Sequence, residues 1–233
     1  MGAVPAKRRG TVGLTAGRWR AERAEGPAAM LLSRPWPEPM VATVRFLDVS
    51  APALIVGSTQ PMGSLDAGSG IDVARRSSGG SAVLVRPGEV LWVDLFVPCD
   101  DTLWHADVGR ATHWLGETWA LVLGDLGIRA GWHDGAFMPG LWSHLACFGG
   151  LAPGEVTVAT RKVVGISQRR TRAGVQFQCA ALLAWDPGAL VALFAPNATE
   201  QQPAVNQLSA AAAPLPVRKS ALEAAFVRRL AER

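Results

Sequence analysis

From Val41 onward, apolar and polar positions begin to alternate. Val41, Thr43, Arg45 and Leu47 share one parity, and Ala53-Leu54-Ile55-Val56 follows before Gly57, so two strands are expected here. Residues 90–97 read as another strand, with every second residue apolar and the opposite face mixed, ended by Pro98. Asp107 then opens an amphipathic helix: Val108, Ala111, Leu115, Trp119, Val122 and Leu126 recur at three- and four-residue steps, and Gly127 is placed to end it. Residues 155–158 and 162–167 form a hairpin pattern around a short connection at 159–161, and Val175, Phe177, Cys179 and Ala181 mark one face of a further strand. Asp186-Pro187 reads as the cap and first position of a helix reaching Phe194, and Ser220 with Glu223 as a capping box opening a last helix. Between these lie a Gly- and Ser-rich loop at 62–70 and a polar, Ala-rich spacer at 197–216.

Residues 1–40 show no sustained period. They are rich in Arg, Gly, Ala and Pro, end in Arg34-Pro35-Trp36-Pro37-Glu38-Pro39, and read as a disordered basic tail before a single domain at 41–233. The chain of 233 residues is long enough to bury one sizeable core, and 49% apolar composition fits a packed globule. No apolar run approaches the roughly 20 residues of a membrane span, and no apolar stretch follows the basic amino terminus as a secretory signal requires, so a cytoplasmic protein without a membrane partner is expected. The net charge of +4 is concentrated in the tail and accompanies no recognition motif, which argues against a nucleic-acid partner. Cys99, Cys147 and Cys179 are far apart and lack the C-x-x-C pairing of a zinc site, and no histidine shares a metal-binding spacing, so no metal is expected. The nine tryptophans fit core packing or the lining of an apolar tunnel.

Two phrases carry candidate chemistry. Arg75-Arg76-x-Ser78-Gly79-Gly80-x-Ala82-Val83 places glycines where a backbone could approach an acyl carbonyl or a phosphate, beside two cations. It is neither a P-loop nor a dinucleotide fingerprint. Arg161-Lys162-Val163-Val164-Gly165-x-Ser167-Gln168 puts a lysine at the start of a strand with apolar neighbours. That lysine either snorkels to the surface or turns into a pocket to polarise a carbonyl or move a proton.

Taken together, and with Gly57-Ser58-Thr59-Gln60, Val93-Asp94 and Trp114-Leu115-Gly116, these phrases resemble the lipoate-protein ligase and octanoyltransferase family over about residues 41–187. The resemblance implies an α/β fold with a central, mostly antiparallel mixed sheet flanked by helices. It also implies attachment of an octanoyl or lipoyl group to a lysine of a lipoyl-domain protein. Arg75, Arg76, Ser78, Gly79, Gly80, Ala82, Gly165 and Ser167 are then expected around the acyl or phosphate site, with Lys162 on the acyl carbonyl. Cys147-Phe148, fifteen positions before Lys162, resembles the Cys-Phe of a branch that forms an octanoyl thioester with a cysteine-lysine pair; the Arg-Asn-Asp phrase of the ATP-dependent ligases is absent.

Along the transferase route, the Cys147 thiolate takes octanoate from acyl carrier protein, Lys162 activates the thiol or steadies the carbonyl oxygen, and no cofactor is needed. A ligase route uses ATP and Mg2+ to form an acyl-adenylate bridged by Lys162. Two departures from the family pattern, Ser81 for the third glycine and Cys179-Ala180 for a His-Gly pair, open a third reading of a non-catalytic acyl-binding relative. A monomer is expected in each case.

Overall fold

The computed structural model describes residues 15–61, 70–194 and 198–233. In chain order its elements are β1 (Thr15–Ala16), β2 (Trp19–Gly26), α1 (Ala28–Leu32), β3 (Thr43–Val49), β4 (Ala53–Val56), β5 (Asp72–Arg75), β6 (Val83–Val85), β7 (Val90–Pro98), α2 (His113–Asp125), β8 (Gly131–Trp132), β9 (Val156–Val158), β10 (Arg161–Thr171), β11 (Gly174–Leu182), α3 (Pro187–Ala192), α4 (Ala198–Ala211) and α5 (Lys219–Ala231). Eight strands form one sheet in the order β1-β2-β3-β7-β11-β10-β9-β8, and β5-β4-β6 form a second. In the large sheet only β2 and β3 run parallel; in the small one β4 and β5 do. The expected mixed, mostly antiparallel α/β architecture is the one observed.

Period-two alternation divides the large sheet into two working faces. Leu91, Val93, Leu95 and Val97 of β7 and Val175, Phe177, Cys179 and Ala181 of β11 face α2 and α5, where Trp119 and Phe226 meet at 4.3 Å between ring centroids. Residues of the opposite parity, among them Leu47, Val90, Trp92 and Leu182, pack against the small sheet, α1 and Phe148. A polar row crosses this second face strand by strand: Glu22 opposes Arg45, Arg45 opposes Asp94, Asp94 opposes Gln178 and Gln178 opposes Ser167.

The tail expected over residues 1–40 is not what residues 15–32 form. Trp19–Gly26 is an integral strand and Ala28–Leu32 a short helix. Their buried positions are mostly alanines set among charges of both signs, too small to register as an apolar face. Those charges are spent on neighbours: Arg23 bonds Asp48 and Glu223, and Arg45 bonds Glu22. Residues 1–14 of that tail and 62–69 of the Gly- and Ser-rich loop lie outside the described residues.

Two helical expectations also change. Asp107 Oδ1 accepts from Arg110 N at 3.0 Å, but this starts a single 3-10 turn at Arg110–Thr112 before α2, and Val108 is exposed. The helix ends near Gly127, whose φ is +77°. Glu223 does not close a capping box at the start of α5, because it pairs with Arg23 of β2, and Arg218 precedes the helix without a side-chain cap. Most of the spacer expected at 197–216 is α4, whose inward positions include only Ala204 and Leu208 as fully buried residues.

Candidate functional site: a slot and a cleft meeting at Cys147

Lys162 owes its position to a break in strand register. The β9–β10 pairing shifts by one residue between Lys162 and Val164, a bulge that turns Lys162 toward the face carrying Gly165. A Cβ at Gly165 would lie 3.4 Å from Lys162 Cε and 3.3 Å from the Phe148 ring, so glycine leaves room for the lysine stem. The ammonium group is buried, 5.0 Å from the centroid of the Phe148 ring. It donates to the Cys147 carbonyl at 2.8 Å and the Gly150 carbonyl at 3.1 Å, and pairs with Glu155 Oε2 at 2.6 Å. These three acceptors match the three donors an ammonium has.

Glu155, ahead of β9, is equally buried, and its pairing with Lys162 is the feature of the site that the sequence did not announce. Its carboxylate also accepts from Ala152 N at 2.7 Å and Ile166 N at 3.1 Å, so it ties together the loop before β9, the lysine and β10. Two other residues were passed over. Gln178 and Trp92 both line the slot described below, and the only sequence signal for them is their parity, Trp92 on the mixed face of residues 90–97 and Gln178 opposite the apolar face of 175–181.

Cys147 starts a short 3-10 turn at Cys147–Gly149. Its amide donates to the Ala82 carbonyl at 2.9 Å, while Ala82 N donates to the Leu145 carbonyl at 3.0 Å. The Gly-rich phrase and the cysteine turn are therefore stitched by backbone bonds, and Ala82 acts through its main chain. Gly80, at φ +96°, brings the loop past the thiol: a Cβ there would be 3.7 Å from Cys147 Sγ and 2.7 Å from Arg76 Nη2. Gly79 has nothing within 4 Å of its ideal Cβ.

Cys147 lines two cavities. One is a narrow apolar slot of about 50 Å³ between the large sheet and β4 and β6, lined by Ile55, Val83, Val90, Trp92, Phe148 and Ala180 among others. The other is a wider cleft of about 500 Å³, lined by Gly79, Gly80, Ser81, Glu155, Lys162 and Gln168 among others. Cys147, Ile166 and Ser167 belong to both. Where they join, Ser78 Oγ donates to Gln178 Oε1 at 2.7 Å and lies 3.0 Å from Ser167 Oγ.

The two arginines do not present free cations. Arg75 Nη1 is shared among the carbonyls of Gly57, Ser58 and Gln60, and Arg75 lines neither cavity. Arg76 is buried and donates to the Gly79 and Ser81 carbonyls at 2.9 and 2.8 Å, holding the Gly-rich loop in shape. Behind the slot, burial pushes the Asp94 carboxyl up to about 6, opposed by bonds from Trp92 Nε1 at 2.8 Å and Gln176 Nε2 at 2.7 Å and by Arg45. Burial likewise pushes the Cys179 thiol up, which makes it an inert packing group. Among the described residues, no group of three or more His, Cys, Asp and Glu could hold a metal ion, and no helix is long and apolar enough to cross a membrane.

The model of the lipoyl protein ligase A/B catalytic domain matches residues 37–217. The chain belongs to that family of enzymes. Among solved structures it is similar to the bipartite lipoate protein ligase of the archaeon Thermoplasma acidophilum, with TM-score 0.70 and 18% identity over 93% of this chain and 83% of that one. It is also similar to a lipoate-protein ligase A bound with ATP, with TM-score 0.63 and 19% identity over 93% and 84% of the two chains. At such identities these likenesses describe the fold. No curated protein matches the chain. As a lipoyl protein ligase domain, this chain places its departures from the expected pattern at defined points. Ser81 Oγ bonds the Ser143 carbonyl and fastens the Gly-rich loop to the loop before Cys147, and Ala180 lines the slot.

Proposed function

We propose that this protein transfers an octanoyl group from acyl carrier protein to a lysine of a lipoyl domain through a thioester on Cys147. The observation that carries the reading is the position of Cys147 at the junction of an apolar slot and a polar cleft, with the Lys162 ammonium 2.8 Å from its carbonyl oxygen. An acyl chain in the slot leaves its carbonyl at the sulfur, and the cleft has room for the arm that delivers it and for the lysine that removes it. In the first step the Cys147 sulfur gives up its proton and attacks the carrier thioester; a new C–S bond forms, the carrier C–S bond breaks, and the leaving carrier sulfur takes the proton that Cys147 lost. In the second, the acceptor amine attacks the acyl-cysteine; the amide C–N bond forms and the leaving Cys147 sulfur recovers the proton that the amine loses. Lys162 exchanges one of its backbone carbonyls for the reacting carbonyl and stabilises the charge that develops there. Ser78, Gly79, Gly80, Ala82, Gly165 and Ser167 shape the pocket, and Arg75 and Arg76 hold the loop. The lipoyl-domain acceptor has a counterpart in the archaeal ligase described together with its E2 lipoyl domain.

A ligase reading has in its favour the size of the cleft and the likeness to an ATP-bound ligase. The donor set serves it less well. Among the described residues Glu155 is the single carboxylate lining the cleft, and it is committed to Lys162 and two backbone amides. Both arginines of the Gly-rich phrase are bound to carbonyls instead of facing a phosphate.

Intact-mass measurement with octanoyl-acyl carrier protein and an apo lipoyl domain tests the choice. An octanoyl adduct on the enzyme, lost in Cys147→Ala and passed to the acceptor without ATP, is expected. Acceptor modification that requires ATP and survives Cys147→Ala would establish the ligase route instead.

A further inference from the structure

The slot borders the cleft at one end, through Cys147, Ile166 and Ser167. At the other it shares Val85, Val90 and Trp92 with a third, small void of about 10 Å³, which is also lined by Leu47, Val49, Arg86, Gly88 and Lys219. These three side chains therefore form the partition, one side chain thick, between the end of the slot away from Cys147 and that small void. We propose that Val85, Val90 and Trp92 form a ruler that fixes the length of the acyl chain this protein accepts.

Three features make the wall selective. Trp92 cannot swing aside cheaply, because its indole N–H is bonded to the buried Asp94, which in turn accepts from Gln176. Val85 and Val90 are β-branched residues in or at the start of strands, with little rotamer freedom to yield. The space behind is hostile to a methyl terminus: Lys219 lines it while ion-paired with Asp48, and Arg86 brings a second cation paired with Glu89 and Asp186. A chain one or two carbons too long must displace the wall or desolvate those charges. A chain that ends at the wall gains the full burial of each methylene.

The ruler rests on reading the slot as the acyl site, so binding is measured apart from catalysis. Sodium salts of the even fatty acids from hexanoate to dodecanoate are titrated into wild-type protein calorimetrically. Affinity should rise about fourfold per methylene up to a limit and fall beyond it. Val90→Ala should move that limit at least two carbons longer and tighten binding of the new best chain about tenfold relative to wild type. Val85→Ala serves as the second opening variant should Val90→Ala fail to fold. Adding Val49→Leu to Val90→Ala refills the third void from behind and should restore the shorter limit, a rescue that general loosening of the core would not give.

An unchanged limit in both opening variants, or wild-type affinity that rises without limit, overturns the ruler. If wild-type protein still transfers octanoate in that case, the acyl-transfer reading stands while the ruler falls. If wild-type protein neither binds any acid nor transfers octanoate, both fall together.

Discussion

Replacing Glu155 by glutamine removes one charge from a buried pair. Lys162 and Glu155 each have side chains 3% exposed and meet at 2.6 Å. In the variant, the amide can keep one oxygen toward Lys162 or toward a backbone N–H, but its NH2 must then face another donor: the ammonium, Ala152 N or Ile166 N. An uncompensated buried cation typically costs about 3–5 kcal/mol. For a chain of this size that is a fall in melting temperature of about 6–20 °C, at roughly 2–4 °C per kcal/mol. The measurement is a four-member cycle of wild type, Glu155→Gln, Lys162→Met and the double variant, each unfolded in urea. Because the double variant leaves neither charge unpaired, it should be more stable than the sum of the two single losses predicts, by about 2 kcal/mol or more. A Glu155→Gln protein within about 1 kcal/mol of wild type would refute the reasoning, since the lysine would then have found another way to keep its charge.

Three further outcomes are expected. With its folded-state value raised to about 6, Asp94 binds a proton in the native protein that the unfolded chain lacks between about pH 4 and 6. Stability should therefore increase as pH falls through that window, by up to about 3 kcal/mol, and the slope should be missing from urea titrations of Asp94→Asn. Gly79→Ala should melt within about 0.5 kcal/mol of wild type, whereas Gly80→Ala, at φ +96° with its new methyl 2.7 Å from Arg76 Nη2, should lose about 1–3 kcal/mol and most of the acyl-transfer rate; equal effects at the two positions would contradict the loop geometry. Ser81→Gly should cost about 1 kcal/mol in thermal melts by releasing the Ser143 carbonyl, and a gain in stability would contradict the fastening role of that hydroxyl.

Much of the sheet was legible because its strands carry their apolar residues at period two. Residues 90–97, 155–167 and 175–181 appear as β7, the β9–β10 hairpin and β11 nearly as read, with Ala159 at φ +54° in the turn. Asp186 caps α3 by accepting from Ala189 N at 2.9 Å, as the Asp-Pro pair suggested. The elements that escaped, β2, α1 and α4, bury alanines and leucines besides Trp19, and in β2 the buried positions break step between Ala21 and Ala24, so no sustained period announces them.

For the site, the phrases revealed which loops converge but not what each side chain does there. Arg75 and Arg76 look like anion-binding cations until their carbonyl partners are seen. Lys162 turns inward only because a one-residue bulge interrupts β10, and local composition does not encode such a shift. Glu155 gains its meaning from a partner seven positions away across the hairpin, which no period announces.

The placement of Cys147 on the common border of slot and cleft separates two kinds of change. Residues at the far end of the slot, such as Val90, touch nothing in the cleft, and Gln168 on the cleft side touches nothing in the slot. On the proposed acyl-transfer reading, a lineage could therefore drift in which acyl group it handles while keeping its protein partners, or exchange partners while keeping its acyl group, with the thiol as the fixed point between the two histories. For an engineer the same division means that libraries built at the two ends can be screened separately and then combined, since contacts this far apart are expected to add.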